Sequence, residues 1–169
     1  MVPVSLSGTS AVGVEGGLNY KVFNVAKSTA TLLLSPPSRP NFAFAGLVGQ
    51  VTNGNQPQFL PASPSVKYFN LESIAVACAV NSGVLPVTCT IHVAGKKAQA
   101  FGGGSVDIDL IYNPGPAAPN PLKSYSTKTF PKDDWTGLVE VSFSIIQSPN
   151  INALTNLLID DNKYQACFA

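Results

Sequence analysis

Apolar and polar residues alternate with a period of two along most of the chain, the signature of strands with one packed face. In Ile74-Ala75-Val76-Ala77-Cys78-Ala79-Val80 the larger side chains share one face and three alanines the other. Thr88-Cys89-Thr90-Ile91-His92-Val93 repeats the pattern, with Cys89, Ile91 and Val93 facing in and Thr88, Thr90 and His92 facing out. Asn81-Ser82-Gly83 and then Pro86 lie between the two segments, so they are expected to form a hairpin. The run from Leu18 to Val25 sets Leu18, Tyr20 and Val22 against Phe23 and Val25, which predicts a bulge or two buried faces. Further strand-like runs span Ala30 to Leu34, Phe42 to Val51, Val66 to Leu71, Val106 to Tyr112, Lys123 to Phe130, Leu138 to Ile146 and Leu157 to Phe168. Gly- and Pro-rich turns separate them, and no long window keeps a period of 3.6. The expectation is one all-β domain over residues 1–169, an antiparallel sandwich or barrel.

Composition sharpens this picture. Charged residues make up 11% of the 169 residues, against roughly 25% in average soluble domains, so hydroxyls, amides and backbone must cover much of the surface. A net charge of +1 gives no electrostatic footprint for nucleic acid or for an anionic membrane surface. No stretch approaches the roughly 18 consecutive apolar residues of a membrane-crossing helix. Met1-Val2-Pro3-Val4-Ser5-Leu6 carries neither the basic nor the continuous apolar part of a secretory signal, and it reads as a mature domain given a start Met. The three cysteines lack the spacings of a zinc or redox motif. Cys78 and Cys89 take core-facing positions on neighbouring predicted strands, where a disulfide forms if their Cα atoms come within about 7 Å. Cys167, close to the chain end, is expected to stay unpaired.

Candidate chemistry is sparse. Any Ser-His-Asp or Cys-His arrangement must use His92, the sole histidine, which sits mid-strand without the strained turn that exposes a nucleophile and without an evident orienting acid. Asp107 and Asp109, two residues apart, share one strand face and read as a polar outer surface. Gly102-Gly103-Gly104 opens no helix and precedes no phosphate-binding Lys-Ser or Lys-Thr, so it reads as a hairpin connection. Lys96-Lys97 reads as a solvated turn. Trp135 is either a lid on the core or a platform for a sugar ring. Tyr112 and Tyr125 are the other aromatics beside turn-rich loops, where sandwiches usually carry binding residues. No catalytic residue is nominated, and enzymatic activity is not expected.

Several motifs from Tyr68 onward resemble a widespread group of small secreted fungal proteins with a carbohydrate-binding-module-like β-jelly roll, mostly of unknown function. They are Tyr68-Phe69-Asn70-Leu71-Glu72-Ser73-Ile74, Ala77-Cys78-Ala79-Val80-Asn81, Val87-Thr88-Cys89-Thr90-Ile91, Trp135-Thr136-Gly137-Leu138 and Leu157-Leu158-Ile159-Asp160-Asp161-Asn162-Lys163-Tyr164. The resemblance implies a jelly roll, secretion and an oxidised Cys78–Cys89 pair. It also implies a structural calcium between an N-terminal carboxylate and an Asp on the last strand, here Glu15 and Asp160, although the group's N-terminal Asp-rich residues are missing. Two functions are expected on this basis. The first is non-catalytic binding of an extracellular cell-wall polysaccharide, with Trp135, Tyr112 and Tyr125 as ligand-binding candidates. The alternative is a secreted effector that binds a host protein.

Overall fold

The computed structural model describes residues 10–27, 34–38, 41–46, 56–80, 85–116, 118–148 and 155–168. Thirteen strands account for most of them: β1 (Ser10–Glu15), β2 (Leu18–Lys27), β3 (Leu34–Ser35), β4 (Asn41–Gly46), β5 (Gln58–Pro61), β6 (Val66–Val80), β7 (Leu85–Pro86), β8 (Cys89–Lys97), β9 (Ser105–Tyr112), β10 (Asn120–Pro121), β11 (Lys123–Tyr125), β12 (Leu138–Gln147) and β13 (Asn156–Phe168). One short 3-10 turn, Gln99–Phe101, stands in the β8–β9 connection. The main sheet is antiparallel in the order β11-β6-β13-β4-β2-β5-β12-β8-β9, with β1 on β2 and β7 on β6. The pair β3 and β10 is parallel and separate. The all-β, antiparallel expectation therefore holds.

This order folds into two layers because β2 bends. Leu18 to Lys21 pair with β5, whereas Asn24 to Lys27 pair with β4. Between them Val22 has φ 70, a left-handed conformation that β-branched residues rarely adopt. The bend shifts the inward phase: Tyr20 and Phe23 are three residues apart yet both buried in one core. This is the irregularity anticipated from the mixed alternation of Leu18 to Val25. The rings of Tyr20, Phe23 and Phe143 pack around Phe59, with centroids 4.7, 5.6 and 4.9 Å away. Ile74, Val76, Leu157 and Ile159 from one layer and Ile91, Val93, Leu110, Val141 and Phe143 from the other belong to the same buried cluster.

The disulfide forms as expected, but the hairpin around it does not. The segments Val66–Leu71 and Ile74–Val80 merge into the single fifteen-residue β6. After it, β7 makes only two pairs, Ala79 with Pro86 and Val80 with Leu85. Pro86 has no N–H to extend the ladder, and the chain crosses instead to β8, which pairs with β12 and β9 rather than with β6. Val87 N–H still donates to the Cys78 carbonyl at 2.9 Å. Cys78 and Cys89, with Cα atoms 6.2 Å apart, thus join strands that are not hydrogen-bonded neighbours. Cys167 is free.

Other boundaries shift for local reasons. β11 stops at Tyr125, because Thr129 and Phe130 N–H both donate to the Ser126 carbonyl and turn the chain. Lys96 and Lys97 end β8 instead of forming a turn. β1, β5 and the two-residue β7 and β10 fall outside the expected runs. Parts of two expected runs, residues 30–33 and 47–51, lie outside the described residues.

Two stability predictions arise here. Replacing both Cys78 and Cys89 by alanine should lower the unfolding free energy by about 3 kcal/mol, the chain-entropy figure for a loop of roughly a dozen residues, as read by denaturant titration. Val22→Gly should stabilise the fold by roughly 1 kcal/mol or less, since glycine relieves a left-handed strain of about 1–2 kcal/mol while losing more chain entropy. A loss of stability in that variant would show that Val22 matters through packing and not through its backbone.

Candidate functional site

The two layers have very different outer faces. On the first, register sets Ala75, Ala77 and Ala79 of β6 beside Asp160, Leu158 and Asn156 of β13, with Phe44 beyond Leu158. Ala75, Ala77, Ala79, Leu158 and Asp160 are buried although they alternate along β6 and β13 with Ile74, Val76, Cys78, Leu157 and Ile159. Segment 34–38 reaches this face: Ser38 N–H donates to Asp160 Oδ2 at 2.7 Å, and Ser35 accepts from Leu122 N–H. Burial raises the Asp160 carboxyl above its ordinary range, and the Ser38 and Asp161 N–H groups pull it only part of the way back.

The second outer face is open. Register across β12, β8 and β9 arranges it in rows: Glu140, Lys96 and Ser105; then Ser142, Ala94 and Asp107; then Ser144, His92 and Asp109; then Gln147, Thr90 and Ile111. β5 adds Gln58 opposite Ser142, and its amide donates to Glu140 Oε1 at 3.1 Å. The alternate residues Val141, Phe143, Ile91, Val93 and Leu110 fill the core behind it. Small side chains at Ala94, Ser142 and Ser144 leave the middle of the face shallow. Thr88, Thr90, Ile111, Gln147 and Ser148 line a depression of about 390 Å³ at one end.

At the centre, His92 Nδ1 lies 2.7 Å from Asp109 Oδ1, with both side chains exposed. The expectation that His92 lacks an orienting acid is therefore corrected. The β8–β9 hairpin, closed through Gly102, Gly103 and Gly104, brings the acid to it. Asp107 and Asp109 do share the polar outer face, as their spacing implies.

The aromatic candidates are placed elsewhere. Trp135 is 3% exposed; its ring meets Phe130 edge to face at 4.9 Å and lies over Gly95, where an added Cβ would come within 3.2 Å of it. Its carbonyl also accepts from Leu71 N–H, so it acts as a lid on the core. Tyr112 is 1% exposed, opposite Cys89 on the inward side, with a hydroxyl that has no hydrogen-bond partner among the described residues and is pushed up to about 12 by burial. Tyr125 is half-buried: its hydroxyl donates to the Ile111 carbonyl at 2.6 Å, the same oxygen that accepts from Lys123 Nζ at 3.0 Å. None of the three presents a free ring for stacking. Glu15 closes the β1–β2 hairpin, where its carbonyl accepts from the Tyr164 hydroxyl, while the Asp160 carboxylate turns to Ser38 on the covered face. No group of three metal-binding side chains occurs among the described residues, whereas calcium takes six to eight oxygens.

The raised Asp160 fixes a pH dependence. A folded-state value above the unfolded one contributes stability in full below the ordinary carboxylate range and loses it as pH rises through the raised value. Asp160→Asn keeps an acceptor for Ser38 N–H without the buried charge. In thermal melts it should match the wild type near pH 3 and equal or exceed it at pH 7. Asp160→Ala, which leaves that N–H unpaired, should cost about 1–3 kcal/mol at both.

Compared with protein-family models, with curated proteins and with solved structures, the chain matches none, so the open face itself is what bears on function.

Proposed function

We propose that the protein is a secreted, non-catalytic module of jelly-roll type that binds an extracellular glycan on the open outer face of β12, β8 and β9. The observation that carries this reading is the contrast between the two outer faces. One is apolar and covered, while the other is open and displays hydroxyls, amides, carboxylates and one imidazole in register. Such a surface pairs well with the many hydroxyls of a sugar chain. Protein interface cores, by comparison, are enriched in aromatic residues and depleted of Lys, Asp and Glu. The buried Trp135 and Tyr112 mean that recognition rests on hydrogen bonds and not on stacked rings, which suits soluble chains better than crystalline surfaces. The Cys78–Cys89 bond supports an oxidising compartment.

The row Ser144, His92 and Asp109 has the residue types of a hydrolytic triad. However, it lies on a flat face, and the backbone N–H groups of β8, the strand between Ser144 and Asp109, are committed to the ladders with β12 and β9. Acyl transfer needs free donors aimed at the developing oxyanion, and this favours a binding role for the row. A protein partner is the second reading, favoured by Ile111 and Ile146, which are 54% and 48% exposed at the same end of the face.

Affinity electrophoresis against soluble β-1,3-glucan, hydroxyethyl cellulose and arabinoxylan tests the proposal. At least one polysaccharide should retard the wild type, and Ser144→Trp, which fills the shallow centre, should weaken that retardation at least tenfold without lowering the melting temperature. Retardation by none of them, or retention of binding in the folded Ser144→Trp variant, would count against the glycan reading.

A further inference from the structure

We infer that His92 is the selectivity determinant of the open face and that it selects uncharged glycans over uronate or sulfate ones. The inference rests on the glycan reading above and names the ligand class. An ionised carboxylate only accepts hydrogen bonds, so the 2.7 Å contact with Asp109 assigns the ring proton to Nδ1. In the neutral ring Nε2 is then an acceptor. It makes no hydrogen bond to protein among the described residues, and the side chain is 34% exposed. A ligand over the neutral ring must therefore supply a donor, which a sugar hydroxyl does and a carboxylate or sulfate does not.

The surrounding charges act in the same sense. Asp109 and Asp107 stand on β9 beside β8, Glu140 stands on β12, and Lys96 is the nearest cation on β8 itself. At the margin of the face Lys123 Nζ adds a second ammonium, 3.0 Å from the Ile111 carbonyl; three carboxylates against two ammoniums still leave the neighbourhood of Nε2 unfavourable to anions. Ser144, directly opposite His92, offers a hydroxyl that can donate to the oxygen of the same sugar group. Asp109 is a positioning residue in this arrangement: it touches the ring and not the ligand, and it fixes which ring nitrogen accepts.

Affinity electrophoresis of the full chain at one pH and one salt concentration, with β-1,3-glucan, arabinoxylan and polygalacturonate as probes, tests this. The best neutral probe should bind at least tenfold more tightly than polygalacturonate. His92→Phe, which keeps a ring but has no acceptor, should weaken neutral binding at least fivefold, and His92→Gln, whose amide oxygen can accept, should recover part of the loss. Asp109→Asn can donate to Nδ1 and move the ring proton to Nε2, so it should weaken binding as well. Equal or tighter binding of polygalacturonate, or neutral binding within twofold of wild type in both His92→Phe and Asp109→Asn, overturns the inference. If Ser144→Trp abolishes binding in that case, the open face stands as the site and only the role of His92 falls. If the folded Ser144→Trp variant still binds, or if the wild type binds none of the probes, both readings fall together.

Discussion

Much of the architecture depends on β2 serving two layers, a link that β6 and β12 repeat only at the pair Phe69 and Leu138. β2 gives its first half to β5 and its second half to β4, and the turn between those halves is made by the left-handed backbone of Val22. Without that rotation a nine-strand order would extend as one twisted sheet with two wet faces. With it, the faces that carry Phe23, Phe59 and Phe143 meet, and a common core forms from residues far apart in sequence. A strained residue persists only where its surroundings over-determine it, and here the aromatic cluster on either side of Val22 supplies that determination.

The second consequence of layering is an inequality between the two outer surfaces. Alanines at 75, 77 and 79 are small enough for a neighbouring segment to lie close, and Ser38 fastens that segment through Asp160. The opposite layer has hydroxyls, carboxylates and a histidine at its outward positions, and these residue types stay in water. A chain with few charges has placed four of them together, since Lys96, Glu140, Asp107 and Asp109 all stand on the outer side of three adjacent strands.

Much of this was legible in the residues, and the failures are instructive. Period-two alternation identified most strands, and the irregular phase of Leu18 to Val25 marked the bend. Inward-facing cysteines predicted the disulfide but not its setting, because alternation says which way a side chain points and not which strand lies beside it. Pairing depends on where the chain leaves the ladder, and here Pro86 decides it. The same blindness to neighbours hid Asp109 from His92. A hairpin connection through Gly102, Gly103 and Gly104 was legible, but not the register that sets Asp109 opposite His92. Trp135 was ambiguous in sequence because a residue preceding a strand can fall on either side of the core, and only the glycine at position 95, beneath its ring, resolves the choice.

The shared acceptor at Ile111 has a wider meaning for how the molecule behaves in company. β9 and β11 are the two ends of the strand order, and an open end is a template on which another chain can add a strand. Lys123 and Tyr125 of one end both donate to the Ile111 carbonyl of the other. Side chains of one terminal strand thereby occupy a backbone carbonyl of the other, much as a clasp closes a band. For a protein whose surface offers little charge repulsion against self-association, that clasp is a local defence against edge-to-edge polymerisation, and it stands at the margin of the face exposed for recognition.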